Sequence, residues 1–393
     1  MAPSGATCDV AIIGAGPAGA TLAYKLLQGG LKPVLIDKAV FPRGKVCGGG
    51  LTFKALKLLP TDLNEVRENE ICQVELSFGL RQSFTKSSPQ PLLYTVERKR
   101  LDTALVDRVR RAGGEVIDGE CLEQITTGTR DALTIVTSRR SLKTRVVVGA
   151  DGARSTVARS VGLKPVDFFH LGLQGEVLQR LIPRKSFESG RTIFLDMGSF
   201  PDGYAWGFPR GNLLVLGVMG LAHRGKQLKE YCAHLLAHLG LKQHTFPLKA
   251  HLIPHRVTAK PIVKDRVLLV GDAAGLTDFW TGEGICFALA SAHFAGRQIL
   301  KFFQGDAEAL NNYQVQVDRE ITPELQASYQ FSRLFNYLGP LAFRFLGHYD
   351  YPWEVFCRIM RGDRSFVEIK KRFRPNIFLR KLLVKSARNQ PLA

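Results

Sequence analysis

The chain has 393 residues, 45% hydrophobic and 23% charged, which suits a globular protein with two or three cores and excludes a disordered or fibrous one. Its formal net charge of +19 favours a polyanionic partner, whether nucleic acid, an anionic membrane surface or phosphorylated substrates. The seven cysteines are scattered and never spaced Cys-x-x-Cys, so a disulfide framework or zinc ribbon is not expected, and a reducing compartment fits better.

At the N-terminus no basic segment leads into a secretory apolar core, because Val10, Ala11, Ile12 and Ile13 run straight into glycines. No uninterrupted apolar run approaches bilayer length. The expectation is a cytoplasmic protein that meets a membrane, if at all, on its surface. The four apolar residues read as a buried strand entering Gly14-Ala-Gly-Pro-Ala-Gly19 and a helix. In such a turn Gly14 permits the tight bend, Gly16 lets backbone approach a pyrophosphate, and Gly19 lets helix pack on strand. The helix N-terminus offers free N–H groups to the phosphates. A second strand ends on Asp37, at the separation expected of a carboxylate that binds ribose. Then comes Phe41-Pro-Arg-Gly-Lys-Val-Cys-Gly-Gly-Gly-Leu51, where a simple dehydrogenase would continue its fold.

Residues 51–93 are mixed and polar, with strand-like pieces such as 74–78. A helix is expected to open at Tyr94, with Leu101, Leu105, Val106 and Val109 at helical spacing, and to stop at Gly113-Gly114. Four short strands follow, the last running into Asp151-Gly152. Residues 166–255 are strand-rich (193–196, 204–208, 213–218) around one helix, 226–239. The first fold then resumes with a buried strand into Gly271-Asp272, and a long helix opens near Gly282 and runs to Phe303. The remainder reads as helical and basic.

Taken singly, these signals are weak. Glycines also serve turns, Arg98 by itself reads sooner as a surface arginine, and Asp151-Gly152 equally as a plain turn. Gly271-Asp272 is stronger: a carboxylate at the end of a buried strand can bind a chain of hydroxyls. Cys232, His234 and His238 lie at helical spacing, but no carboxylate accompanies them, so an amphipathic helix is expected there and no metal site. In the tail, Lys370 to Lys385, cations interleave with Phe373, Ile377, Phe378, Leu382 and Leu383. Three readings stay open: a solvated helix with one packed face, an anchor on anionic lipid at about 1 kcal/mol per basic residue, or a nucleic-acid contact. No recognisable nucleic-acid module supports the last.

In order, these elements resemble the FAD-binding parts of the flavoproteins that include aromatic hydroxylases, flavin-dependent halogenases and geranylgeranyl reductases, over roughly residues 8–300. Two motifs narrow the resemblance to geranylgeranyl reductases. The 41–51 loop is similar to their Pro-Arg-x-Lys-x-Cys-Gly-Gly loop, and Tyr204-Ala-Trp-Gly-Phe-Pro209 to their Tyr-x-Trp-x-Phe-Pro motif. The following Gly-x-Gly is half kept, as Gly217-Val-Met219, and Phe279 stands where the family usually has proline. The halogenase Trp-x-Trp-x-Ile-Pro pattern is absent.

The resemblance implies an α/β fold with an α+β insert. A Rossmann-like FAD-binding domain (1–70, 95–165, 256–304) would carry an inserted antiparallel-sheet substrate domain (71–94, 166–255) and a basic helical C-terminal region (305–393). It implies an FAD site of Gly14, Gly16, Ala18, Gly19, Asp37, Lys38, Arg43, Cys47, Gly48, Gly50, Arg98, Leu122, Asp151, Asp272, Gly284 and Ile285, with Cys47, Tyr204 and Trp206 at the reacting bond. Residues 204, 206 and 208 share one strand face, which suits a core or a lipid tunnel, and the motif favours the tunnel. Cys47 reads either as a small buried hydrophobe or as a residue over the flavin, and the three glycines favour the latter. The implied activity is reduction of C=C bonds in a polyprenyl lipid or prenyl diphosphate. Electrons would come from NADPH or a small ferredoxin-like protein, and the proton from Cys47, Tyr204 or water. A flavin monooxygenase or halogenase, or a non-catalytic flavin-binding membrane protein, would share every FAD motif.

Overall fold

The computed structural model describes residues 6–59, 64–127, 132–182, 184–242 and 247–372. The fold is mixed α/β, as expected from the sequence. Among the described residues the strands form three sheets. In the first, Val267–Leu269, Ser141–Gly149, Ala6–Ile13, Pro33–Asp37 and Glu115–Asp118 lie side by side in parallel. Val10, Ala11 and Ile12 are fully buried, in a strand paired on both edges, and a near-continuous apolar run is what such a central parallel strand requires.

The turn after it depends on its glycines. Gly14 has φ +104°, and a Cβ there would overlap the Ala150 carbonyl; a Cβ at Gly19 would overlap the Gly14 carbonyl. Any side chain would pry the strand ends apart. The helices Pro17–Gln28 and Ile285–Phe303 pack against each other over this sheet.

The second sheet runs in the order Lys249–His255, Phe168–Leu178, Leu213–Leu221, Tyr204–Arg210, Thr192–Met197, Gln73–Phe78 and Gln82–Ser87. It is antiparallel except where Thr192–Met197 meets Gln73–Phe78 in parallel. The third sheet is small and joins Gly50–Thr52, Leu93–Val96 and Arg67–Ile71.

Here the sequence reading needs a correction. Residues 94–96 are strand, not the opening of a helix, and the helix is Arg98–Arg111. Tyr94, Thr95 and Val96 are aromatic or β-branched and fit a pleated surface between two partners. Among the described residues five helices, from Ala309–Glu320 to Phe366–Arg372, follow the long one. Most of the basic tail, from Phe373 onward, lies outside the described residues. No helix among the described residues is long and apolar enough to cross a membrane.

Candidate flavin and substrate cavity

A cavity of about 670 Å³ opens between the sheets, within the range of a small-molecule site. One end is polar. Gly16, Pro17 and Ala18 line it at one helix start, and Gly284, Ile285 and Ala288 at another. Neither helix has a side-chain cap on its first residues, and neither has an acidic residue in its first turn. Their first N–H groups and positive dipole ends therefore face the cavity free, a ready anion and acceptor site. Two further buried ring nitrogens have no partner among the described residues, the Trp206 Nε1 donor and His251 Nε2. This donor set fits the diphosphate and the electron-rich ring system of FAD.

Asp37 organises the glycine turn. Its Oδ2 accepts from the Ala15 N–H at 2.7 Å and its Oδ1 from Ala39 N–H at 2.9 Å, while Arg43 stands 3.7 Å away. Arg43 also donates to Asp102 at 2.9 Å. Arg98 grips the same carboxylate with a two-pronged contact, Nε to Oδ1 at 2.9 Å and Nη2 to Oδ2 at 2.8 Å. Burial works against the charge of Arg98, but Asp102 and then Cys47 more than offset it, so the guanidinium is held more firmly charged than usual. Asp102 accounts for part of the Arg98 fork; the arginine still lines the cavity.

Lys45 and Asp272 form an ion pair at 3.0 Å, and Thr277 Oγ1 donates to Asp272 at 3.3 Å. Burial alone would push the Asp272 carboxyl up, yet Lys45 brings it below the ordinary value. His251 beside them is pushed down to about 4, first by burial and then by Lys45. It lines the cavity as a neutral imidazole.

The loop before Ile285 is tied in place from three sides. Asp278 accepts from the N–H groups of Trp280 and Thr281 at 3.1 and 2.7 Å. Glu283 binds the Thr52 hydroxyl and the Lys54 ammonium. The Tyr204 hydroxyl donates to the Thr281 carbonyl at 2.6 Å. Burial and the nearby Asp278 raise the Tyr204 pKa, so this hydroxyl is a weak acid already committed to a carbonyl. Phe279, the residue in place of the family's proline, turns away from the cavity. Its ring packs on His170, Tyr329 and His255 at 4.5, 4.9 and 5.1 Å.

The other end is apolar. Tyr204, Trp206 and Phe208 line it from one strand, joined by Val74, Leu76, Ile193 and Leu195 of the same sheet. Gly48 and Gly50 let these rings come close: a Cβ at Gly50 would sit 3.0 Å from Phe208, and one at Gly48 3.2 Å from the Trp206 indole nitrogen. The opposite wall was missed by sequence reasoning. It consists of Phe331, Leu334, Phe335 and Leu338 on the helix Thr322–Leu338, of Phe356, Ile359 and Met360 on Asp350–Arg361, and of Phe366 at the start of Phe366–Arg372. The signal was available, since 331, 334, 335 and 338 have the spacing of one helix face, but the charge of the region obscured it.

Of the expected site residues, the cavity gathers Gly16, Ala18, Cys47, Gly48, Gly50, Arg98, Tyr204, Trp206, Asp272, Gly284 and Ile285. Gly14, Gly19, Asp37 and Arg43 stand behind this lining and shape it. Lys38 is exposed and Leu122 is packed in the core of the first sheet. Asp151 accepts from the N–H groups of Thr156 and Val157 at the start of a short helix. These three do not line the cavity. Cys232 is packed in the helix Gly225–His238, whose His238 contacts Arg184.

Comparison with known proteins agrees with this geometry. The FAD binding domain family matches residues 7–178. The chain is 28% identical to the chloroplastic geranylgeranyl diphosphate reductase of Oryza sativa, over 76% of this chain and 67% of that one. It is 27% identical to digeranylgeranylglycerophospholipid reductase 2 of Methanothermobacter thermautotrophicus, over 84% and 88%. In fold it is similar to a geranylgeranyl bacteriochlorophyll reductase-like protein of Thermoplasma acidophilum, with TM-score 0.73 and 23% identity over 85% and 90%. It is also similar in fold to the flavin-dependent brominase Bmp2, with TM-score 0.76 and 17% identity over 98% and 100%. In sequence and in fold the chain thus resembles the geranylgeranyl reductases among FAD-dependent oxidoreductases.

Proposed function

We propose that the protein saturates C=C bonds of a polyprenyl chain, borne by a lipid or a diphosphate. The observation that carries this reading is the continuity of one cavity from the uncapped helix starts, past Gly48 and Gly50, into a passage walled by aliphatic and aromatic side chains. A passage of that composition suits a long hydrocarbon and suits a charged or small polar substrate poorly.

Bound FAD, once reduced by NADPH or a small ferredoxin-like protein, supplies hydride equivalents. The protein's own part is to hold, dry and stabilise. The apolar walls align the chain and exclude water from the reacting bond. An alkene without a neighbouring carbonyl develops cation-like charge on its substituted carbon, and the face of Trp206, backed by Tyr204 at 6.0 Å between ring centroids, can stabilise it. Cys47 stands at the junction of the polar and apolar ends and, with Tyr204 held to Thr281, is the better candidate for the proton. A membrane-borne substrate also gives the net charge of +19 a role at an anionic surface.

Anaerobic incubation of the reduced protein with prenyl lipids and prenyl diphosphates, followed by mass spectrometry, tests this. Gain of the mass of two hydrogens per reduced bond is the expected result. The likeness to a brominase supports a second reading, oxygen-dependent oxidation or halogenation. Unaltered prenyl chains together with substrate-dependent oxygen consumption would establish that one instead.

A further inference from the structure

We propose that residues 337–351 form a lip that docks on a lipid bilayer, so that the apolar passage opens directly toward the membrane interior. This rests on the prenyl reading above and adds the surface through which the substrate enters.

Three observations carry it. First, more than half of the exposed large hydrophobic side chains among the described residues fall in this one stretch of chain, among them Tyr337, Leu341 and Tyr351 at 66, 69 and 68% exposure. The stretch spans the end of one helix, the turn at Gly339 (φ +46°) and the helix Pro340–His348. A patch of this kind, rimmed by polar groups, marks a membrane or protein contact. Second, Leu338, Phe345 and Tyr351 are exposed and also line the cavity, so the apolar surface runs unbroken from the lip to the flavin end. A protein partner would need no such continuity, whereas a hydrocarbon chain leaving a bilayer does. Third, the charges around the lip match anionic headgroups. Its single acid, Asp350, is neutralised by Lys86 at 2.8 Å. Arg344 on the lip, and Arg364 and Arg372 at the cavity wall, make no ion pair among the described residues. Tyrosine rings over an apolar base with cations beside them are the composition of an interfacial anchor.

The test uses the full chain with its flavin and vesicles of phosphatidylcholine with phosphatidylglycerol. The protein is expected to float with the vesicles. The double variant Leu341→Glu with Tyr349→Glu should float on the order of tenfold less, with flavin content unchanged, since neither residue lines the cavity. Arg344→Glu should weaken flotation with the anionic vesicles but not with pure phosphatidylcholine. Flotation of the double variant equal to that of the parent would overturn the proposal and move the anchor elsewhere, as would a parent that does not float. A parent that is dimeric by light scattering, and monomeric in the double variant, would overturn it in favour of a second copy covering the lip. A prenyl assay in detergent micelles separates the two readings. Loss of flotation with retained micellar reduction supports the lip, whereas flotation without reduction of any prenyl substrate sinks the prenyl reading alone.

Discussion

The Trp206 indole lies against Gly217, its partner across the strand pair, so closely that any β-carbon on residue 217 would overlap the ring. The half-kept glycine motif thus keeps the half that matters for the indole. Gly217→Ala is expected to push Trp206 toward the cavity at a cost of about 1–3 kcal/mol, as overpacked cores do. Substrate turnover should fall as it does in Trp206→Ala, with flavin retained. Unaltered turnover in both variants would remove Trp206 from the substrate wall.

Asp102 is fully buried and receives two arginines, Arg43 and Arg98. Asp102→Ala would leave the guanidinium of Arg98, 5% exposed, without its counter-charge. Removing one partner of a buried pair typically costs about 3–5 kcal/mol. Urea denaturation should register a loss of that size, whereas a loss near zero would mean that solvent already reaches the pair.

Lys45 and Asp272 form an ion pair on the cavity lining, with Asp272 Oδ1 3.4 Å from where a Cβ on Gly284 would stand. Asp272→Ala is expected to yield protein that folds but is nearly colourless, with flavin content by absorbance reduced on the order of tenfold, the worth of one charged hydrogen bond. Full yellow colour in this variant would argue against the flavin assignment of that end of the cavity.

His170 and His255 meet edge to face, 4.5 Å between ring centroids, beside Phe279. Burial lowers both, with His255 pushed down to about 4. The folded state therefore refuses a proton that the unfolded chain accepts near pH 6.5. Stability is complete above that pH and is lost as pH falls from about 6.5 toward 4. The His255 share is about 3 kcal/mol. Melting temperature should drop across this window. His255→Asn, which can keep a donor toward the Thr277 carbonyl 3.0 Å from Nδ1, should flatten the drop. An equally steep drop in the variant would assign it to other groups.

The flavin end was legible in the sequence because its physics is local. Strand, glycine turn and helix start follow one another, and Gly14 and Gly19 are demanded by backbone contacts only a few residues or one strand away. The pairing of Arg98 with Asp102 was within reach too, four residues apart on a helix. The Leu93–Val96 strand was read as helix because its partners, Gly50–Thr52 and Arg67–Ile71, lie far away in sequence and only tertiary pairing decides between the two. The far wall of the cavity was hidden for the same reason. Phe331 and Phe335 show their helical spacing plainly, but no local feature says which sheet they will face.

That wall has a consequence for how such a protein can diverge. The residues that line the cavity on this side, between 331 and 372, belong to a stretch of chain that contributes no strand to the flavin-bearing sheet. Under the prenyl proposal, the length, branching and unsaturation of the accepted chain can therefore drift through changes on these helices while the flavin site stays as it is. Selectivity and reducing power are written in separate passages of one polypeptide, and each is open to selection without rewriting the other.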